Sequence, residues 1–314
     1  MKSKLIIISV LAVCICSGGF LTYGMINDSE PVNADNIESE AVVTSAEIQK
    51  EDISITSEAV VTSAEIQKNE DVSIIEKDIE IKTIDKTYIL DHMLNSIDYF
   101  DTADGEFVTN LFETNQETDI VFSVNVSDNN NFAYEKCTSD EISTETFFSD
   151  GIINDYDNIN KTHSAIQTGI SSSISMPASA RISKNEAGEN VYCYRDNKMN
   201  LGYTSQCLMS QELTFGCLAD KSLWEISGEE KYLGYDCIVI DGTAANNYGS
   251  KLGMESFKFI IEKNTGIVMN FEGYNSQGDI TIYSTVKNIS IDDEMSFSKA
   301  QLEAKFNSGE YSEY

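Results

Sequence analysis

Histidine is nearly absent from this chain of 314 residues, with His92 and His163 as the whole supply. Beyond the first thirty residues the cysteines are Cys137, Cys193, Cys207, Cys217 and Cys237, an odd number with no CxxC or CxxxC pair among them. Sulfur and imidazole donors at metal-ligand spacing are therefore missing, and the thiols read as small buried residues whose pairing stays open. Positive charge is short as well: 21 basic residues stand against 52 acidic ones, a formal net charge of -31. That deficit excludes a phosphate-tracking stripe and with it a nucleic-acid partner. No GxSxG elbow occurs, and the one SxxK spacing, Ser296 with Lys299, lacks the companion KTG element of penicillin-interacting enzymes. Cys217 or Cys237 would need a nearby base to act as a nucleophile, and His163, next to Lys161, falls in a stretch that reads as loop. Asp155, Asp157, Asn158 and Asn160 crowd oxygen donors together, but Ile159 and Ile166 stand where calcium ligands of an EF-hand belong. The chain reads as a non-enzyme without a cofactor.

What is present begins with an export segment. Lys2 and Lys4 precede an uncharged apolar stretch from Leu5 to about Ile26, long enough as a helix to cross a hydrocarbon core of roughly 30 Å. Residues 1–26 are thus a signal peptide or a membrane anchor. Three fates compete: cleavage after small residues such as Ser17, Gly18 and Gly19, retention with the lysines on the cytoplasmic side, or lipidation at Cys14. In each of them the remainder lies on the extracytoplasmic side of the cell membrane, tethered to it or secreted.

Residues 27–84 form an acidic linker. Pro31 to Glu80 carries 13 acidic and 3 basic residues and no aromatic, a composition that stays solvated and repels itself. The twelve residues SEAVVTSAEIQK at Ser39–Lys50 recur unchanged at Ser57–Lys68. Two short copies cannot stack a core, so the repeat reads as a duplication inside a disordered stalk.

A folded domain is expected over residues 85–306. Tyr88, Leu90, Met93, Leu94, Ile97 and Phe100 recur at three- and four-residue intervals and predict an amphipathic helix over Thr87 to Phe100, capped by Asp85 and stopping in the Asp101–Gly105 turn. His92 lies off that stripe and is expected at the surface. Ile120 to Val126 alternates as a strand, and Phe132 to Lys136 is a second. Cys137 to Ala187 is rich in Ser, Asp, Asn and Thr, and reads as long loops with helix around Ile152–Ile166 and Ile170–Ile174. Strands are then expected at Val191–Arg195, Tyr203–Leu208, Leu223–Ile226, Tyr232–Asp241, Phe257–Glu262, Ile267–Tyr274, Ile280–Val286 and Ile289–Ile291. The turns at Lys263–Gly266 and Ser276–Asp279 join neighbours into an antiparallel meander. A short helix at Met295–Phe306 and a frayed acidic tail, residues 307–314, close the chain.

The order Trp224, Gly228, Glu229, Glu230, Tyr232, Gly234, Cys237, then Phe257, the Ile261–Gly266 turn, Glu272, Tyr274 and Gly278 resembles the carboxy-terminal half of the LolA-like superfamily. That group includes bacterial lipoprotein carriers and the RseB/MucB regulators of envelope-stress sigma factors. The resemblance spans about residues 86 to 300. It implies an α+β fold, a strongly curved antiparallel sheet forming an open half-barrel around one or more helices. It also implies a concave apolar groove able to hold acyl chains. Phe122, Trp224, Phe259 and Phe271 are the groove candidates. The expected function is a membrane-tethered binding module for a lipid, an acylated protein or a peptide. The alternatives are a regulator acting on the ectodomain of a membrane anti-sigma factor, and a structural or adhesive surface protein.

Overall fold

The computed structural model describes residues 84–111, 116–127, 130–168, 174–196, 199, 201–307 and 309–313. The export segment, Cys14 and the linker up to residue 83 lie outside the described residues. Among the described residues no helix is long and apolar enough to cross a membrane.

The first helix, α1 (Lys86–Leu94), starts where Asp85 accepts hydrogen bonds at 2.8 Å from the backbone N–H groups of Thr87 and Tyr88. Ile89, Leu90, Met93 and Leu94 form its buried stripe. Each buried side chain of this size contributes about 1.5–3 kcal/mol. The helix ends six residues before the expected Phe100 because Asn95 turns its side chain back, donating from Nδ2 to the Asp91 carbonyl at 3.1 Å. Such a bond competes with continued helix. A 3-10 turn, Ser96–Asp98, keeps Ile97 and Phe100 in the core nonetheless.

Strands then run β1 (Thr102–Thr109), β2 (Thr118–Asn125), β3 (Phe132–Thr138), β4 (Ser143–Ser149), β5 (Ile152–Asp157) and β6 (Thr162–Gln167). After short helix α2 (Ala178–Arg181) comes a separate ribbon of β7 (Ile182–Lys184) and β8 (Asn190–Tyr192). The second meander follows a helical stretch and comprises β9 (Trp224–Tyr232), β10 (Tyr235–Thr243), β11 (Ser256–Glu262), β12 (Val268–Tyr274) and β13 (Ile280–Ile291). The chain closes with β14 (Ser312–Glu313). One twelve-stranded sheet results, in the order β14-β6-β5-β4-β3-β2-β1-β13-β12-β11-β10-β9. The two meanders are fused where β1 pairs antiparallel with β13, and the sheet does not close. Register shifts at Glu106/Phe107, Val239/Ile240, Ile260/Ile261 and Gly273/Tyr274 bend the strands into a strong curve. At the seam, a Cβ on Gly105 would lie 2.5 Å from the Asn288 carbonyl and 3.0 Å from Phe122. Glycine is what lets β1 and β13 approach there.

The inner face is filled by helices. α1, with the helical stretch 202–218, packs on the apolar side chains of both meanders. On the other side of β3–β5, α4 (Lys299–Phe306) docks through Leu302 and Phe306, the latter stacked 3.9 Å from Tyr156. Ser298 caps α4 in a reciprocal pair with Gln301.

Several expectations are corrected. The helix expected around Ile152–Ile166 is the hairpin β5–β6; these strands lie toward a sheet edge, so the apolar alternation that marks a strand is diluted by Thr, Asp and Asn. The strand expected at Tyr203–Leu208 is a 3-10 turn, Gly202–Thr204, followed by α3 (Ser205–Leu208). The β8 strand stops at Tyr192, and Ile280 to Ile291 is one unbroken strand. The tail is not frayed throughout, since Ser312 and Glu313 pair in parallel with Thr162 and His163. His92, expected at the surface, is 4 % exposed.

Candidate functional site

The four groove candidates occupy the interior. Phe122 and Phe107 approach at 6.1 Å across β1 and β2, and Phe259 lies between Phe257 at 5.5 Å and Phe271 at 4.6 Å. Phe122 belongs to the cluster under β1–β3, and the other three to the cluster around α1. Trp224 donates from Nε1 to the Leu218 carbonyl at 2.9 Å. All four are buried in clusters that also contain residues of the chain's own helices.

A cleft lies on the outer side of α1 instead. Asp85, Thr87, Tyr88, Asp91, His92, Asn95, Tyr99, Ser175 and Pro177 line this cleft of about 460 Å³. Successive turns of α1 and the 3-10 turn stack three rings, Tyr88 on His92 at 3.7 Å and His92 on Tyr99 at 4.1 Å. His92 Nδ1 donates to the Tyr88 carbonyl at 2.9 Å, four residues back, which fixes the plane of the middle ring. Tyr88 donates its hydroxyl to the Lys263 carbonyl at 3.0 Å, and Tyr99 ends the stack with 40 % of its surface exposed. Burial raises the Tyr99 phenol above its ordinary value, with Asp91 and Asp98 adding to the effect. The far wall is stapled on by Asp91, which accepts from the Ala178 N–H, and by Asn95 Nδ2, which donates to the Met176 carbonyl at 3.0 Å.

Beneath the cleft sit the only two arginines of the sequence, Arg181 and Arg195. Arg181 is fully buried and donates to the carbonyls of Leu94 at 2.7 Å and Cys193 at 3.0 Å and to Gln211 Oε1, with Phe215 at 5.4 Å under the guanidinium. The Leu94 carbonyl belongs to the carboxyl end of α1, where a cation is favoured by the helix dipole. Burial, and then the neighbouring Arg195, lower Arg181 to about 10, so it stays charged at neutral pH. Arg195 grips Asp98 through both carboxylate oxygens at 2.6 and 2.7 Å and shares Asn95 Oδ1 with Arg181. This cluster locks α1 to residues 181–195 and to Gln211 and so sets the shape of the cleft. Neither arginine stands out by periodicity; their scarcity beside 19 lysines is the signal in the sequence.

The other motifs resolve into separate structural contacts. Ser296 donates to Asp104 at 2.6 Å while Lys299 pairs with Asp150 at 2.8 Å. His163 is on β6, stacked 4.7 Å from Tyr156. Cys137, Cys207, Cys217 and Cys237 are buried thiols outside any disulfide, Cys193 is an exposed one, and burial pushes Cys237 up to about 11. Asp157 accepts from the backbone N–H groups of Ile159 at 2.8 Å and Asn160 at 2.9 Å, an Asx turn between β5 and β6. Among the described residues no three of His, Cys, Asp or Glu gather as a metal site.

The architecture implied by the LolA-like resemblance, an unclosed curved sheet around helices, is the one observed. No family model and no curated protein matches the chain. Solved structures do. MucB of Pseudomonas aeruginosa, solved in complex with MucA, matches at 13% identity over 69% of this chain and 60% of that one, with a TM-score of 0.37. The lipoprotein LppX of Mycobacterium tuberculosis matches at 11% identity over 67% of this chain and 98% of that one, with a TM-score of 0.35. LprF of Mycobacterium bovis does so at 10% identity, 67% and 93% coverage and a TM-score of 0.35. The chain spans about 60% of the length of the MucB chains it matches.

Proposed function

We propose that this chain is a binding module held on the extracytoplasmic side of the cell membrane by its first 26 residues and the acidic linker, and that it recognises the ectodomain of a membrane protein at the α1 cleft. The observation that carries this reading is the Tyr88–His92–Tyr99 stack, whose outermost ring, Tyr99, is open beside Asp91, with Asp85 lining the same cleft at the Tyr88 end. An aromatic face flanked by carboxylates suits a lysine or arginine side chain presented by a polypeptide, because the ring quadrupole and the anions attract the same cation. The filled inner face favours this over an acyl chain: Phe122, Phe259 and Phe271 are each 0 % exposed, and a lipid would have to displace α1 or residues 202–218 to reach them. Binding energy at such a cleft comes from a few anchors rather than from area.

Two measurements on the full-length chain test the reading. Solvent extraction and mass spectrometry of the purified protein should yield no stoichiometric lipid. A photoreactive residue in place of Tyr99 should cross-link in cells to a membrane-protein ectodomain, whereas the same residue in place of exposed Ile280 should not. One lipid per chain together with a silent position 99 overturns the proposal in favour of a carrier. Mass spectrometry of the mature amino terminus separates the cleaved, anchored and Cys14-acylated forms.

A further inference from the structure

The two edges of the sheet are built differently. Strand β9 carries Glu225, Glu229, Glu230 and Lys231, the charged side chains that keep an open edge from pairing with a foreign strand. Strand β6 reads THSAIQ, without a carboxylate or an ammonium, in a chain of net charge -31. Its last four residues are exposed, with Ile166 at 45 %. An uncharged, accessible edge is what natural sheets avoid unless something covers it.

The chain itself covers two of the six residues. Ser312 and Glu313 lie parallel to Thr162 and His163, and the Ser312 N–H donates to the Lys161 carbonyl at 3.0 Å. The preceding residue anchors this short strand. Tyr311 donates its hydroxyl to Asn158 Oδ1 at 2.6 Å, meets the Tyr156 ring edge-on at 4.9 Å, and has Lys161 Nζ 5.2 Å above its own ring. The edge thus already holds an extended peptide with a defined direction, a defined register and an aromatic socket at its start. The contact by which it does so is small, two paired residues and one ring.

We infer that the β6 edge is a strand-acceptor site, on which an extended segment of a partner polypeptide displaces residues 311–313, seats an aromatic residue in the place of Tyr311, and runs parallel to β6 from Thr162 to Gln167. Main-chain hydrogen bonds supply affinity in this mode, and alternate side chains supply specificity. The residue opposite Ile166 is apolar and the segment is neutral or basic, since Asp155 and Asp157 share the inner face with Thr162, Ser164 and Ile166. The net charge argues against a second copy of the same chain as the occupant. This site is distinct from the α1 cleft, so it stands or falls separately from that reading.

The test uses the full-length chain and a fluorescein-labelled octapeptide with tyrosine second, alternating valine and threonine after it so that a valine faces Ile166, and an arginine at each end. Tyr311→Ala removes the anchor of the competing tail and should tighten peptide binding by about tenfold, since a self-occupied site is taxed by its occupancy. Ile166→Lys puts a charge on the edge and should weaken binding by about tenfold or more, with an unchanged circular-dichroism melt showing that the chain still folds. Peptide should slow hydrogen exchange in residues 162–167. Equal affinity for the three proteins, absence of binding to Tyr311→Ala, or protection at α1 instead of β6 overturns the inference. So does dimerisation of Tyr311→Ala in light scattering, which would assign the edge to a second copy.

Discussion

Arg181 binds three elements with one guanidinium, and its removal strands the Leu94 and Cys193 carbonyls in a dry site, while Gln211 Oε1 keeps the Arg195 N–H as a donor at 2.8 Å. Buried acceptors without partners cost about 1–3 kcal/mol each. Arg181→Met, which keeps most of the volume, is expected to lower stability by about 3 kcal/mol in urea denaturation. Arg181→Lys should recover little, because an ammonium cannot match the planar fork. Glu135 makes a prediction of opposite kind. It is buried between β3 and the Gly202–Thr204 turn, accepting from the Thr204 N–H and Oγ1, both at 2.9 Å. Burial outweighs those bonds and raises Glu135 from 4.5 to about 7. A folded value above the unfolded one means that the folded state holds the proton more tightly. The stabilisation is then complete below about pH 4.5 and is lost as pH rises to about 7. Burial alone would also raise Glu145, but bonds from Lys305, Tyr134 and Asn158 hold it low, so Glu145 contributes in the other direction. Comparison with Glu135→Gln isolates the first term. Between these pH values the wild type should lose up to about 3 kcal/mol relative to the variant, read from urea midpoints at each pH.

At the scale of elements, α1 depends on its cap because nine residues are too few for a helix to hold by propensity. Asp85→Ala should cost about 1 kcal/mol and speed amide exchange at Thr87 and Tyr88, whose N–H groups lose their acceptor. Gly105→Ala should cost more, about 2 kcal/mol or above, since the new methyl meets a backbone carbonyl across the β1–β13 seam, where neither strand can move without unzipping the other. The same two elements explain what the sequence reveals. The Asp85 cap and the apolar spacing after it are local, and so are the alternation of Phe257, Phe259 and Ile261 and the turn at Gly266, whose φ is 77°. By contrast β1 contains Asp104, Gly105 and Glu106 and looks like a turn, because the reason for Gly105 is a contact with a strand some 180 residues later. Strands β4 and β5 hid among polar residues, although Asp150-Gly151, with φ of 51° and 76°, is a hairpin signal that stands in the sequence in plain form. The α1 cleft was not legible: Tyr88, Tyr99 and Pro177 come together only through Asn95, Asp91 and the two arginines.

For the whole molecule, the arrangement of the clusters decides how it unfolds. Ile260 and Met269 belong to one cluster, while their chain neighbours Phe259, Ile261 and Val268 belong to the other. Two cores that share strands residue by residue cannot separate without breaking the same ladders, so the fold should open as one unit. The thiols report on this, because Cys137, Cys207 and Cys237 lie in one cluster, Cys217 in the other, and Cys193 in neither. Iodoacetamide on the native full-length chain should modify Cys193 at once and leave the other four untouched. In mild urea, Cys207 and Cys217 should then become reactive with the same dependence on denaturant, their opening free energies agreeing within about 0.5 kcal/mol by peptide mapping. Opening of Cys217 well before Cys207 would show that α1 and the β9–β12 half can loosen alone. That result would also reopen a route for an acyl chain to Phe259 and Phe271, since the helix covering them would then be the first part of the structure to leave.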